Sequence, residues 1–517
     1  MRQGLPGIPV QKYYKFLIYA NILKKRTKNI TTQIDYLSKV KFSKNGRILL
    51  HFPKKFKGEY NIPNSVKRIK EGTFEGCAGL ESIVIPEGIT IIEDDTFRGC
   101  INLKNVQLPN SLIKIGCRAF ADCKSLSFIK IPNGVTEIID SAFLNCANIT
   151  SFDIPNSIIS IFSETFRGCT NLKSLNVASE HPVFSSVDGV LYNKNKTKLI
   201  LYPSGGTEYN LLDSIREIDA FAFDFSINLK AIYVRNNPNY TSIDGVLFAK
   251  DKSKLIRYPI GKDSISYSIP SGTKDIGVHA FCLCNRLTSI TLPDCLENIG
   301  VCAFAGCTEL SSINIPNSVQ RIDVLAFSGC EKMDLIKLPQ NLISIGEAAF
   351  DNCSSLTCID IPNTITCIKN QTFWGCHKLT SITIPDSVTC IESSSFFECN
   401  KLTSINIPSS VKLVDDAFCG CENLESVHIE YGLEIIGYSA FRHCKNLIDI
   451  NIPDSVVEIK DDAFAHCVNL KTLTIPKSVK KIGNSVFEDC NNIELTMPKN
   501  LSLSEDDKRT CKRIIYY

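Results

Sequence analysis

This sequence has few of the signals that mark membrane, secreted or nucleic-acid-binding chains. No stretch approaches the ~20 consecutive apolar residues that a membrane-spanning helix needs. The nearest candidate, residues 16–23, contains Asn21, is followed at once by Lys24-Lys25-Arg26 and lacks a small-residue cleavage site, so it is a poor secretory signal. Charge is nearly balanced, with 57 Lys and Arg against 54 Asp and Glu. Because this balance gives no strong field, we expect neither nucleic-acid binding nor membrane insertion.

Catalytic motifs are also missing. The chain has no Gly-x-Ser-x-Gly, no Walker loop, and no Gly-x-Gly-x-x-Gly that opens a helix after a strand. No cysteine is singled out as lying in an electropositive pocket, as a Cys–His nucleophile would require. Paired carboxylates recur in one turn of a repeat, which is typical of a solvated turn: Asp94-Asp95, Asp415-Asp416 and Asp461-Asp462. We therefore expect no enzyme activity and no cofactor.

The chain does contain a long internal repeat. The pattern Phe-x-x-Cys returns every 23 residues from Phe74 to Phe166 and, after a gap, from Phe281 to Phe487, with one step of 22 between Phe396 and Phe418. A further copy at Phe223 has Ser226 in the cysteine position. The other copies are Phe74/Cys77, Phe97/Cys100, Phe120/Cys123, Phe143/Cys146, Phe166/Cys169, Phe281/Cys284, Phe304/Cys307, Phe327/Cys330, Phe350/Cys353, Phe373/Cys376, Phe396/Cys399, Phe418/Cys421, Phe441/Cys444, Phe464/Cys467 and Phe487/Cys490.

Each repeat unit has the same order of predicted structural elements. Its Leu-x-x-Ile-x-Ile segment ends in the alternation of a short strand, and the following proline ends that strand because it cannot donate a ladder hydrogen bond. A second apolar step follows, and the phenylalanine and cysteine are then three residues apart, as on one face of a helical turn. Because one unit cannot bury its apolar side alone, stacked units are predicted to share a continuous core. A full unit has these positions at Leu379, Ile382, Ile384, Pro385, Val388, Ile391, Phe396 and Cys399.

The repeat resembles the BspA-type leucine-rich repeat of many bacterial and protist surface proteins. The Ile-Pro-x-Ser-Val step (Ile384 to Val388, for example) and the Ala-Phe-x-x-Cys step (Ala463 to Cys467) carry the resemblance, which covers about residues 60–498. It implies a β-rich leucine-rich-repeat solenoid: a curved, right-handed coil with a parallel β-sheet on one face, short helical turns on the other and β-hairpin insertions. It also implies an adhesive or receptor-like binding protein, and it names no ligand.

Two insertions interrupt the repeat. Residues 188–203 and 244–259 are identical at 11 of 16 positions at an offset of 56. Each reads as two short strands around a turn rich in Lys, Asn and Asp, which predicts a β-hairpin. A weaker third copy runs from Phe42 to Pro53. These hairpins either extend the coil and cover its side or contact a ligand.

The ends of the coil need caps, since a solenoid must cover its open ends. Ser504, with Asp507 three residues on, predicts a short polar helix that ends in Ile514-Ile515-Tyr516-Tyr517. No linker divides the chain, so we predict one domain. Its predicted parts are an N-terminal cap and degenerate hairpin (1–60), repeats (61–176), two hairpin insertions around one repeat (177–269), repeats (270–498) and a C-terminal cap (499–517).

The 24 cysteines are explained by position. Fifteen occupy one column of the repeat, where buried thiols are predicted to form an internal ladder rather than disulfides, since their Cβ vectors would be nearly parallel. Neither Cys282-x-Cys284 nor Cys419-x-Cys421 has zinc-ribbon spacing, and we predict no metal site. His443 and His466 are 23 residues apart, so repeat equivalence should make them neighbours on the outer surface; a metal pair is the alternative.

The residues that point outward from the predicted strands suggest where a ligand would bind. In Leu-x-x-Ile-x-Ile these are the third and fifth positions, and most of them are small, polar and neutral. The exceptions cluster between Phe128 and Tyr233, so the candidate ligand-contact residues are Phe128, Lys130, Asp153, Asn176 and Tyr233. We expect a protein or glycan ligand, bound by several weak contacts.

Two compartments remain open for this binding function. The family resemblance favours the cell surface. A reducing compartment, and thus an intracellular interaction scaffold, is favoured by the many unpaired thiols and by the lack of a clear signal or membrane segment.

Overall fold

The computed structural model describes residues 39–517, which form two compact units. The first contains residues 39–206 and 214–228, and the second contains residues 207–213 and 229–517. Most of the predicted N-terminal cap lies outside the described residues. Within residues 39–517, no helix is both long enough and apolar enough to cross a membrane.

Most coils contribute strands to two ladders. The Leu-x-x-Ile-x-Ile segments form the first ladder, and the second apolar steps form the second ladder. In the first unit, the first ladder contains β3 (Gly58–Asn61), β5 (Leu80–Val84), β7 (Asn105–Gln107), β10 (Ser151–Ile154) and β11 (Ser174–Val177). The second ladder and its hairpins contain β1 (Lys41–Phe42), β2 (Ile48–His51), β4 (Arg68–Ile69), β6 (Ile91–Ile92), β8 (Lys114–Ile115), β9 (Glu137–Ile138), β12 (Phe184–Val187), β13 (Val190–Asn193), β14 (Lys198–Leu201) and β16 (Glu217–Ile218).

The second unit repeats this plan. Its first ladder contains β15 (Glu208–Leu211), β17 (Ala231–Val234), β21 (Ser266–Ser268), β23 (Ser289–Thr291), β25 (Ser312–Asn314), β27 (Leu335–Lys337), β29 (Cys358–Asp360), β31 (Ser381–Thr383), β33 (Ser404–Ile407), β35 (Ser426–Ile429), β37 (Asp449–Ile450), β39 (Thr472–Thr474), β41 (Glu494–Met497) and β42 (Arg513–Tyr516). Its second ladder and hairpin contain β18 (Tyr240–Ile243), β19 (Val246–Ala249), β20 (Lys254–Arg257), β22 (Asp275–Ile276), β24 (Asn298–Ile299), β26 (Arg321–Ile322), β28 (Ser344–Ile345), β30 (Cys367–Ile368), β32 (Cys390–Ile391), β34 (Leu413–Val414), β36 (Ile435–Ile436), β38 (Glu458–Ile459) and β40 (Lys481–Ile482).

Pairing within the repeats is parallel and in register, so equivalent residues of successive coils face one another. Ile359 pairs with Ile382 in the first ladder, and Ile368 pairs with Ile391 in the second. The solenoid predicted from the repeat is therefore confirmed. Sequence reasoning identified the second apolar step but not its strand, because two residues are too few to show a period.

The expected short helical turns are not helices. In residues 39–517 the only helical segments are a 3-10 helix, Ser163–Phe166, and the α-helix α1, Glu505–Thr510. Most Phe-x-x-Cys segments are turns with left-handed residues two before and two after the phenylalanine, as at Gln371 (φ 56°) and Gly375 (φ 67°). The amides of Phe373 and Gly375 donate to carbonyls of the next coil at 2.8 and 2.9 Å. Pairing between coils replaces the i to i−4 bonds of a helix.

Stacked phenylalanines and cysteines form the core. Phe350, Phe373 and Phe396 lie face to face with ring centroids 5.7 and 5.4 Å apart. Thirteen of the fifteen column cysteines donate their thiol to the phenylalanine carbonyl of the preceding coil, as Cys376 does to Phe350 at 3.3 Å. All 24 cysteines lie in the described part of the chain and none is in a disulfide, so the predicted internal ladder is confirmed.

The insertions form the predicted hairpins and join the second ladder. Strands β12 and β13 are antiparallel, β14 follows β13, and β14 pairs in parallel with β16. Strands β18, β19, β20 and β22 have the same order, and β1, β2 and β4 repeat its last three strands. The predicted hairpin is β13 and β14, and an Asp-Gly turn adds β12 before it; there Gly189 has φ +78° and an added Cβ would lie 2.7 Å from a Cα atom of β11. Glycine is required there because both the backbone angle and the space exclude a side chain.

The C-terminal cap is a helix followed by a strand. Ser504 accepts a hydrogen bond from the amide of Asp507, as predicted for an N-cap. The buried Asp507 carboxylate accepts the amide of Phe487 at 2.7 Å, which takes the place of a carbonyl from a further coil. The prediction that the helix runs on to Tyr517 was wrong: Arg513–Tyr516 form β42, parallel to β41. Their β-branched and aromatic side chains favour a strand over a helix.

Candidate functional site

The five predicted contact residues divide between the two units. Phe128, Lys130, Asp153 and Asn176 lie in the first unit, and Tyr233 lies in the second. All five are exposed to solvent.

Phe128 and Lys130 lie on a segment that departs from the ladder. The apolar residues Leu126, Ile129 and Ile131 are buried, so the predicted alternation of inward and outward side chains is present. The backbone of this segment forms no strand, and the first ladder is interrupted between β7 and β10. Phe128 is 49% exposed, whereas phenylalanine side chains are usually buried.

Asp153 and Asn176 are held together by the register of β10 and β11. They are directly paired, and the Asn176 side-chain amide donates to the Asp153 carboxylate at 2.8 Å. The Ser174 hydroxyl in turn donates to the carbonyl oxygen of the Asn176 side chain. This polar cluster adjoins the first hairpin, since the amide of Val177 donates to the hydroxyl of Ser186 at 3.1 Å.

Tyr233 occupies the equivalent outward position in the second unit. It is 41% exposed, and its hydroxyl lies 3.5 Å from a carboxylate oxygen of Glu208. The second hairpin adjoins the same strand, because the amide of Ile232 donates to the carbonyl of Gly245 at 2.8 Å. Aromatic, cationic and hydrogen-bonding groups of this kind are suited to ligand contact.

A second cluster was not foreseen from the sequence. Cys367 and Cys390 are paired in register on β30 and β32, and Glu392 comes two residues after Cys390. One ligand atom from each of the three lies within 4.8 Å of the others, and no other group of three or more His, Cys, Asp or Glu residues in the described chain meets that condition. The available signal was two outward cysteines separated by one repeat period of 23 residues. Linear spacings such as Cys-x-x-Cys do not detect it.

The predicted proximity of His443 and His466 is confirmed. Their rings stack in parallel with centroids 4.3 Å apart, and His466 Nδ1 lies 3.0 Å from the Asp489 carboxylate. Partial burial lowers the pKa of His443, and the positive charges of His466 and Arg442 lower it further. Repeat equivalence accounts for this pair.

Comparisons with known proteins identify the repeat. The model of the BspA type leucine rich repeat region matches the chain six times, at residues 52–173, 90–207, 197–268, 261–380, 297–416 and 412–507. No curated protein is significantly similar in sequence.

Solved structures of bacterial proteins are similar to this chain. A leucine-rich repeat protein from Bacteroides ovatus is 22% identical with a TM-score of 0.47, over 91% of this chain and 94% of that one. A leucine rich cell surface protein from Faecalibacterium prausnitzii is 25% identical with a TM-score of 0.36, over 74% and 90%. The pneumococcal vaccine antigen PcpA is 20% identical with a TM-score of 0.32, over 92% and 82%. Since the family matches together extend over residues 52–507, the chain belongs to the BspA-type leucine-rich repeat family.

Proposed function

We propose that this protein is a non-catalytic recognition protein that binds a protein ligand on the outward face of its first ladder. In the first unit the contact surface would be Phe128, Lys130, Asp153 and Asn176, and in the second unit Tyr233 would be a further contact. The observation that carries this proposal is the half-exposed ring of Phe128 in the first unit, where the neighbouring repeats have the small polar residues Ser82, Asn105, Ser151 and Ser174 at the same position.

Phe128 and the small polar residues around it would contribute to binding in different ways. Removing an exposed aromatic ring from water stabilises a complex, whereas small hydroxyl and amide groups mainly exchange water for ligand hydrogen bonds. Lys130 adds a cation on the same side of the segment. The paired Asp153 and Asn176 side chains already hold each other, so less side-chain entropy is lost on binding than for free side chains.

The test is a binding screen with matched double variants. Purified protein is applied to arrays of purified proteins and of glycans, and any ligand found is titrated against F128S/K130S. The control is L335S/K337S, which removes an exposed apolar residue and a lysine from the same two repeat positions in the second unit; Leu335 is 55% exposed. We expect at least about a tenfold loss of affinity for the first variant and no change for the control.

Other results would contradict the proposal. An unchanged affinity in F128S/K130S, or an equal loss in the control, would show that the ligand binds elsewhere. Binding only to the glycan array would assign a glycan instead of a protein. Turnover in a hydrolase or transferase panel, if lost on a single substitution, would replace the recognition role with catalysis.

A second candidate is an interaction scaffold in a reducing compartment. It is favoured by the 24 cysteines outside disulfides, of which Cys358 is exposed. Exposed free thiols oxidise readily outside the cell. Biotinylation of intact cells separates the two: labelling supports the surface role, and confinement to the unlabelled cytosolic fraction supports the scaffold.

A further inference from the structure

The cysteines of the second ladder differ from those of the core in what surrounds them. In β30 and β32, Ile368 and Ile391 are buried, so Cys367 and Cys390 point to the opposite, outward side. Facing residues in neighbouring strands are about 4.8 Å apart, which places the two thiols side by side. Both remain partly accessible to solvent.

Glu392 completes a three-sided arrangement. One of its carboxylate oxygens lies 3.6 Å from the Cys367 sulfur. Its other oxygen accepts the backbone amide of Asn370 at 2.8 Å, so the carboxylate is oriented by a group that is not itself a ligand. Outer contacts of this kind fix the direction of metal ligands.

From this geometry we propose that Cys367, Cys390 and Glu392 bind a thiophilic divalent cation of the zinc class. Zinc takes sulfur ligands at about 2.3 Å and carboxylate oxygens at about 2.0–2.2 Å, so tetrahedral ligands lie about 3.8 Å or less from one another. The three ligand atoms already lie within 4.8 Å, so small side-chain rotations bring them to that spacing. Three protein ligands leave a fourth position for water or an exogenous ligand.

The charge balance favours a soft cation over magnesium or calcium. Two thiols lose their protons on binding, and the two thiolates and one carboxylate then face a dication. In the metal-free protein the pKa of Cys367 is raised to about 12, first by burial and then by Cys390 and Glu392. The Cys367 thiol is therefore protonated at neutral pH without metal, and it loses that proton when a cation binds. Thiolate ligands select zinc, cadmium or cobalt over cations that prefer oxygen.

The experiment uses cobalt as an optical probe of the full chain, reduced and stripped with a chelator. One equivalent of Co²⁺ should produce thiolate-to-cobalt charge-transfer absorption, which one equivalent of Zn²⁺ then removes. C367S and C390S should each weaken binding at least about 100-fold, and E392Q about tenfold or more. Serine fits these positions because Ser344 occupies the equivalent site one repeat earlier. The matched control, C358S, removes an exposed cysteine from the first ladder and should leave the titration unchanged.

A second readout keeps the proposal falsifiable if a variant misfolds. In the wild-type protein, Zn²⁺ should slow alkylation of Cys367 and Cys390 at least tenfold and leave that of Cys358 unchanged, as measured by peptide mass spectrometry. Equal alkylation with and without zinc would overturn the proposal. So would a charge-transfer band that persists in C367S and C390S. A Cys367–Cys390 disulfide with no metal uptake by the reduced protein would show a redox pair instead.

Discussion

Cys376 and Cys367 lie nine residues apart in the same coil, yet their surroundings differ in almost every respect. Cys376 is fully buried, and its thiol donates to the Phe350 carbonyl. Cys367 is partly exposed and faces a second thiol and a carboxylate. Burial raises the pKa of both thiols, but only Cys367 has two further ligating groups in reach. Position within the coil, and not residue type, therefore decides whether a cysteine packs in the core or faces other ligating groups.

The largest effect is expected for a substitution in the core around Cys376. Phe373→Ala deletes a ring stacked between Phe350 and Phe396. We expect a loss of about 3–5 kcal/mol in the free energy of unfolding, because the cavity cannot collapse between two rigid neighbours. Urea denaturation followed by local hydrogen exchange measures it. Cys367→Ser in the same coil should change stability by about 0.5 kcal/mol or less, and equal losses would refute the distinction.

A smaller effect should separate volume from hydrogen bonding at the column cysteine. Cys376→Ala removes the sulfur and its bond to Phe350, at a cost of about 1–2 kcal/mol. Cys376→Ser should cost less, because Ser226 shows that a hydroxyl in this column makes the same bond, to the Tyr202 carbonyl at 3.2 Å. The comparison is made by urea denaturation under reducing conditions. If serine is worse than alanine, the thiol acts only by filling space.

Reactivity should follow the same division. Without metal, Cys358 and Cys367 should be alkylated by iodoacetamide in the native state. Cys330 should react at least about 100-fold more slowly than Cys358, since it is fully buried and its modification requires local opening of the coil. Time-resolved peptide mapping gives each rate. A column cysteine that reacts as fast as Cys358 would show that the coil opens locally.

The smallest effect concerns the residue that precedes the column cysteine. Because the folded-state pKa of His443 is lowered, the unfolded chain binds a proton more readily than the folded protein does. The contribution of His443 to the free energy of unfolding is therefore fully present above about pH 6.5 and decreases as the pH falls below that value. The imidazole is partly solvated, so the effect should stay below about 1 kcal/mol. His443→Asn should reduce the pH dependence between pH 7 and 5. Asparagine suits the left-handed backbone there, as Asn352 shows at φ 54°.

An exposed histidine provides the control for that measurement. His428→Asn, on β35 and away from the stacked pair, is compared with His443→Asn by the same urea denaturation. If both variants alter the pH dependence equally, the shift does not arise from the stacked pair.

The features that could be predicted from the sequence are mainly those whose residues recur at a fixed spacing. The parallel coil, the hairpins, the cysteine column and the Ser504 cap follow from repeated apolar positions or from known capping chemistry. The left-handed turns were missed because their backbone is set by amide pairing with the next coil, which a residue such as Gln371 does not encode locally. The Phe128 segment keeps the buried apolar pattern of a strand without forming one, and that apolar pattern is the same as in its neighbours, so it did not predict the missing strand.

The candidate sites show the same limit. Exposure of Phe128 and Tyr233 could be expected from their outward repeat positions, while their part in binding stays a prediction. Cys367 lies one repeat before Cys390 and Glu392, and only the register of β30 against β32 brings it to them. A site that forms across coils becomes visible when outward positions are compared one period apart.

The hairpins have a consequence for how such a chain can change in length. The last strand of each hairpin pairs with the second ladder in the same parallel register that ordinary coils use, as Leu255 does with Ile276 and Ile276 with Ile299. A recombination event between the two related insertions, which are offset by 56 residues, would therefore duplicate or delete a block without shifting the phase of the coils that follow. The loss or gain of one such block would leave each remaining coil paired with its neighbours in the same register.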